Sequence, residues 1–143
     1  MAGEAENVEI VRALYDAVNR AGSWVAGADV VDPEIEIETD PRHPQAGVYR
    51  GIERYRAFLE EFEEAYERTT VVPERIYAHG DQVLTVVSVH RRPRGSSIEV
   101  ESRVAFLWTV RDGRLVREQA FAEPDRALAE TGFGESDAVE VTT

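Results

Sequence analysis

Apolar residues first recur at helical spacing between Asn7 and Arg20, where Val8, Val11, Leu14, Tyr15 and Val18 mark one face of an amphipathic helix. Gly22 closes that run as a C-terminal stop. Ser23 is placed to cap a shorter helical piece within SWVAGADVV, which Asp32-Pro33 ends. The period then changes. In EIEIETD, strict alternation sets Ile35 and Ile37 on one face and Glu34, Glu36 and Glu38 on the other, the pattern of a half-buried strand. After the loop PRHPQAGVYRG, a second long helix is marked by Ile52, Tyr55, Phe58, Leu59, Phe62 and Tyr66, an inner stripe rich in aromatics. The remainder reads as about four strands, VVPERIYA, VLTVVSVHRR, SIEVESRVAFLWTV and RLVREQAFA. Asp112-Gly113 suits a tight hairpin between the last two. Pro124 starts a last helical turn, PDRALAETG, and 134–143 form a polar, loose tail.

Helices first, one strand, another helix and then a meander is an α+β order: a cone-shaped, curved, mixed but mainly antiparallel sheet wrapped around N-terminal helices. The 143 residues suit a single domain with its core over about 7–133, and 43% hydrophobic content suffices for that core. The open mouth of such a cone is a natural small-molecule site. Phe106, Trp108 and Val110 share one strand face and Arg103, Ala105 and Leu107 the other. With Phe106 and Trp108 turned to the helices, Tyr55, Phe58 and Phe62 can meet them and line a pocket for a small apolar or aromatic ligand. Because both sheet faces are apolar, the outer one is expected to pack against a second copy as a homodimer.

Charge and composition remove several classes of function. Twenty-eight acids against sixteen bases give a formal charge of -12, which repels nucleic acid. There is no cysteine, so thiolate chemistry and Cys-based metal sites are excluded. No two histidines have metal-ligand spacing, no phosphate loop or nucleophile elbow is present, and no cofactor is expected. Without an apolar run long enough to cross a bilayer, no membrane role is expected, and a cytoplasmic location is the default. His90 stands on a strand whose parity is open, so it is a candidate pocket contact. Arg91, Arg92 and Arg94 adjoin a turn and suit either solvent or an anionic ligand tail.

The segments ENVEIVRALYDAVNRAG, DPEIEIETDP, AGVYRGIERYRAFLEEFEEAYE, AHGDQVLTVVSVHRR and AFLWTVRDGRLVREQAFAEPDRALAETGF resemble the SnoaL-like branch of the nuclear-transport-factor-like superfamily, which includes ketosteroid isomerase and limonene epoxide hydrolase. The resemblance runs from about Asn7 to Phe133 and implies a dimer with a deep cavity. Its chemistry ranges from cyclisation to isomerisation or hydrolysis, and some members have none. Ketosteroid isomerase uses a general-base Asp at the end of the first strand and a helix Tyr facing the forming enolate. By that resemblance Tyr15 takes the place of the Tyr, and either Asp40 or Glu38, depending on register, takes the place of the base. The third role falls near Ala105 or Phe106, which cannot donate a hydrogen bond. The Arg-x-Asp of epoxide hydrolases is absent. The last-strand acid of the cyclases falls at about Ala120, with Glu118 on the same face as a weak substitute. The resemblance therefore implies an isomerase- or cyclase-type enzyme acting on an apolar carbonyl compound, with a non-catalytic ligand-binding or dimerisation module as the alternative.

Overall fold

The computed structural model describes residues 3–44 and 46–141, the Phe62 side chain excepted. Its first helix, α1 (Glu4–Ala21), buries Val8, Val11, Leu14, Tyr15 and Val18, the stripe that the spacing predicts. Gly22 stops it in the left-handed region at φ 71°, with its amide donating to the Val18 carbonyl at 2.7 Å. Ser23 then caps a 3-10 turn over Trp24–Val30, its hydroxyl accepting from the Val25 amide. Asp32-Pro33 does not end this turn, because both residues already lie inside β1 (Val31–Glu38). The register against β6 (Arg114–Phe121) shifts between Val31 and Glu36, and such an irregularity accommodates a residue without an amide hydrogen.

Within the predicted loop, β2 (Val48–Arg50) pairs antiparallel with the end of β1. The helix that follows, α2 (Ile52–Glu63), stops short of Tyr66, which instead opens β3 (Tyr66–His79). Pairing with β4 (Gln82–Pro93) overrides the helical period there, joining Tyr66 to Pro93 and Thr69 to Arg91. Pro73 sits where the β3 register shifts. β5 (Val100–Arg111) turns into β6 through Asp112 and Gly113, both at positive φ, as a two-residue hairpin of this hand requires. After α3 (Pro124–Thr131), the tail returns to the sheet. Ala138–Val139 form β7 and pair with Tyr77 and Ile76 of β3, which corrects the expectation of a loose end up to residue 141.

The seven strands make one curled sheet in the order β2-β1-β6-β5-β4-β3-β7, antiparallel throughout except for the parallel pair β1–β6. This is the expected α+β architecture. On the inner face α1 covers β3 and β4 and α2 covers β1, with the 3-10 turn packed against both helices. The apolar patch on the outer face is covered from within the chain. Ala127, Leu128 and Phe133, on and after α3, pack over Tyr77, Leu84, Val86, Ala105, Leu107 and Phe121. Beyond it that face carries charge pairs, Arg117 with Glu36 and Glu38 and Arg103 with Glu74, beside the exposed Val48 and Val72. The α3 segment thus covers the largest apolar patch of the outer face from within the chain. Among the described residues no helix is long and apolar enough to cross a membrane.

Candidate functional site

A cavity of about 240 Å³ lies between the inner face of the sheet, the 3-10 turn and α2. Its walls are mainly apolar, with Trp24, Ile37, Leu59, Val104 and Phe106 prominent, as small-molecule sites require. The space has a local cause. The inward residue of β6 opposite Phe106 is Ala120, and Ala122 follows just past the strand end; their short side chains leave room beside the aromatic ring.

The next inward position on β6 is Glu118. It stands opposite Trp108, lines the cavity, and is only 3% exposed. No described residue forms a hydrogen bond or ion pair with its carboxyl. Burial alone pushes its pKa from 4.5 up to about 8, since an apolar wall cannot solvate the carboxylate. A carboxyl in that state exchanges its proton near neutral pH, which general acid–base chemistry needs.

Tyr15 stands behind this group. Its hydroxyl accepts from the indole Nε1 of Trp108 at 3.0 Å and shares a hydrogen with Thr85 Oγ1 at 2.5 Å. The hydroxyl is fully engaged, and Tyr15 does not line the cavity. Burial raises its pKa most, the Thr85 and Trp108 hydrogen bonds work against that, and the Glu118 charge adds to the rise. Tyr55 is also buried behind the wall, its pKa raised by burial first and then by Glu118 and Tyr15. Tyr15, Trp24 and Trp108 meet edge to face, with ring centroids 6.2 and 6.3 Å apart, and Phe106 joins Trp24 at 5.5 Å.

Asp40 lines the mouth of the cavity with both oxygens committed. Oδ1 accepts from the Arg42 amide at 2.9 Å and Oδ2 from the Ala122 amide at 2.8 Å, so the side chain ties the loop after β1 to the end of β6. Burial would raise its pKa, but the two amides, with Arg42 and Arg126, more than offset this and hold it below the ordinary range. Arg42 bridges on to Glu123 at 3.1 Å. This carboxylate is built to stay charged and to hold a loop.

The other predicted site residues separate. Glu38 faces away from the cavity and is bound by Arg117 at 2.6 Å, because strand alternation turns it outward beside Glu36. His90 likewise falls on the outer face. Its ring lies between Ser88 at 3.0 Å and Glu99 at 3.2 Å, while Val89 and Arg91 on either side point into the cavity. Neither Glu38 nor His90 lines the cavity. Phe58 and Phe106 do line the cavity, Phe58 stacking with Tyr49 at 5.0 Å, whereas Trp108 is completely buried behind it. The Phe62 side chain lies outside the described residues. The sequence carries no sign of Trp24 at the cavity, while parity alone already puts Glu118, there a weak substitute, on the face of Ala120. Among the described residues no three His, Asp or Glu side chains gather as metal ligands do.

Comparison with known proteins agrees with this architecture. An uncharacterized protein of Mycobacterium tuberculosis is 28% identical over 120 residues, which cover 82% of this chain and 90% of the relative. A putative SnoaL-like polyketide cyclase from Jannaschia superposes with a TM-score of 0.67 at 24% identity, over 82% of this chain and 85% of that one. A protein of ketosteroid isomerase-like fold from Catenulispora acidiphila, solved in complex with trimethylamine, gives 0.67 at 18% identity, over 88% and 94%. At these identities the structural likenesses speak for the fold. The family model for the SnoaL-like domain matches residues 11–118, three quarters of the chain, and the protein therefore belongs to the SnoaL-like domain family.

Proposed function

We propose that the protein is a cytoplasmic, cofactor-independent enzyme that moves a proton on an apolar carbonyl compound bound in the cavity, with Glu118 as the proton-carrying group. The observation that carries this reading is a carboxyl buried against an apolar cavity with no hydrogen-bond partner among the described residues. In its ionised form Glu118 takes a proton from the carbon next to the carbonyl. The C–H pair moves into the enolate, and the proton returns to the same or a conjugated carbon. Trp24, Phe58 and Phe106 hold the flat body of the substrate. Tyr15 and Trp108 brace the wall behind Glu118, and Asp40 fixes the mouth. A relative of this fold with bound trimethylamine supports small-molecule binding as the shared property.

The test is exchange of α-protons of apolar cyclic ketones in deuterated buffer, followed by NMR. The exchange rate is expected to rise with pH through a limb near 8, the Glu118 value, and to disappear in Glu118→Gln. A rate unchanged in that variant sinks the assignment. One observation favours a non-catalytic binding module instead: the Tyr15 hydroxyl, the donor expected to hold an enolate, is already taken by Trp108 and Thr85. In that case ketones bind without exchange. The homodimer implied by the family is part of the proposal, formed through the charged strip that α3 leaves uncovered. Light scattering then gives twice the chain mass, decreasing as salt screens the strip.

A further inference from the structure

The cavity is polar at two separate places. Glu118 lies opposite Trp108 on β5. Arg91 lies opposite Val100, toward the other end of the same strand, with Ser102 the next inward residue. Between them the lining is Phe106 and Val104. Of the three arginines in the run HRRPRG, Arg91 alone faces this space. Arg92 pairs with Glu67 at 3.2 Å, and Arg94 donates to the Glu64 carbonyl at 2.7 Å. The guanidinium of Arg91 is held in place by stacking over the Tyr66 ring at 5.1 Å. Arg42, the other cation of the lining, is over half exposed and engaged by Asp40 and Glu123.

Accepting that the cavity is the ligand site, we infer that it takes an elongated apolar molecule carrying one anionic group, a carboxylate or sulfonate, bound at Arg91 and Ser102. A planar guanidinium with several donors meets such a group in parallel hydrogen bonds, and partial burial strengthens them. Burial lowers the Arg91 pKa and the Glu63 charge raises it, so the cation is desolvated yet kept charged. Glu118, in the ionised form that takes up a proton, repels an anion, and its apolar surroundings offer an anion no donor. The two ends together therefore set a single orientation, with the uncharged end of the ligand at the proton-carrying group.

The experiment compares two fluorescent probes with one aromatic body, 1-anilinonaphthalene-8-sulfonate and uncharged N-phenyl-1-naphthylamine. Energy transfer from the tryptophans is read at fixed ionic strength on the intact protein. The sulfonate is expected to bind about tenfold more tightly, as a desolvated charge-assisted pair implies. Arg91→Met, which keeps an unbranched chain against Tyr66, should abolish that preference and leave the uncharged probe unaffected. Arg91→Lys should retain part of it. Equal affinities in the parent protein, or equal loss of both probes in Arg91→Met with the melting curve unchanged, overturn the inference. If the uncharged probe binds but the sulfonate gains nothing, only the Arg91 assignment fails. If neither binds, the cavity reading falls with it.

Discussion

Glu118 and Asp40 are carboxyls at one cavity, driven in opposite directions by what surrounds them. Glu118 meets only apolar wall, so the folded chain keeps a proton that the unfolded chain has released at the same pH. Stability therefore falls as pH rises from about 4.5 to about 8, by about 1.4 kcal/mol per pH unit, and levels off above that. Glu118→Gln, neutral at all pH, should melt like the parent near pH 4.5 and increasingly higher as pH approaches 8.5. Asp40 has the reverse sign. Its contribution is complete above the ordinary Asp value and disappears as pH falls through the lower native one. Asp40→Asn should cost about 1–3 kcal/mol in denaturant titration, because one amide acceptor is lost in a buried place. It should leave the pH limb of exchange where it is. Both acids were visible in the sequence, and so was the inward parity of Glu118. What parity could not give was the hydrogen-bond partner of each, which comes from chain distant in sequence: Ala122 for Asp40, and none among the described residues for Glu118.

At the scale of elements, the most readable signals were those that local chemistry decides. The α1 stripe, the Gly22 stop, the Ser23 cap and the Asp112-Gly113 hairpin all follow from spacing and allowed backbone angles. Gly22→Ala should destabilise by about 1 kcal/mol in thermal melts, since a Cβ is strained at that positive φ. It would also lie 2.6 Å from the Arg68 guanidinium, which must swing aside. The misread elements are those whose fate depends on a distant partner. Tyr66 has the period of α2 but is claimed by Pro93 across β3 and β4. Val139 is part of a polar tail until Ile76 offers it a strand edge. Likewise, nothing within WVAGADV indicates that Trp24 will form a cavity wall. Tyr15→Phe tests the coupling of elements: it leaves the Trp108 indole N–H without its acceptor and should cost about 1–3 kcal/mol with no shift of the exchange limb.

At the scale of the whole molecule, the cavity depends on the parallel β1–β6 pair, a junction that no short turn can make. The bond between Arg117 and Glu36 across it joins residues 81 apart in sequence, whereas β3 to β6 are linked by successive turns. Closing so long a loop is entropically costly, so the hairpin-linked strands have the advantage in assembling first. The binding chamber is then expected to close after the hairpin-linked strands have paired, with Glu118 wet until β1 docks. In stopped-flow refolding, Glu118→Gln should leave the folding rate nearly unchanged and slow unfolding above pH 8, since the strain of a dry carboxylate is felt only once the seam has shut.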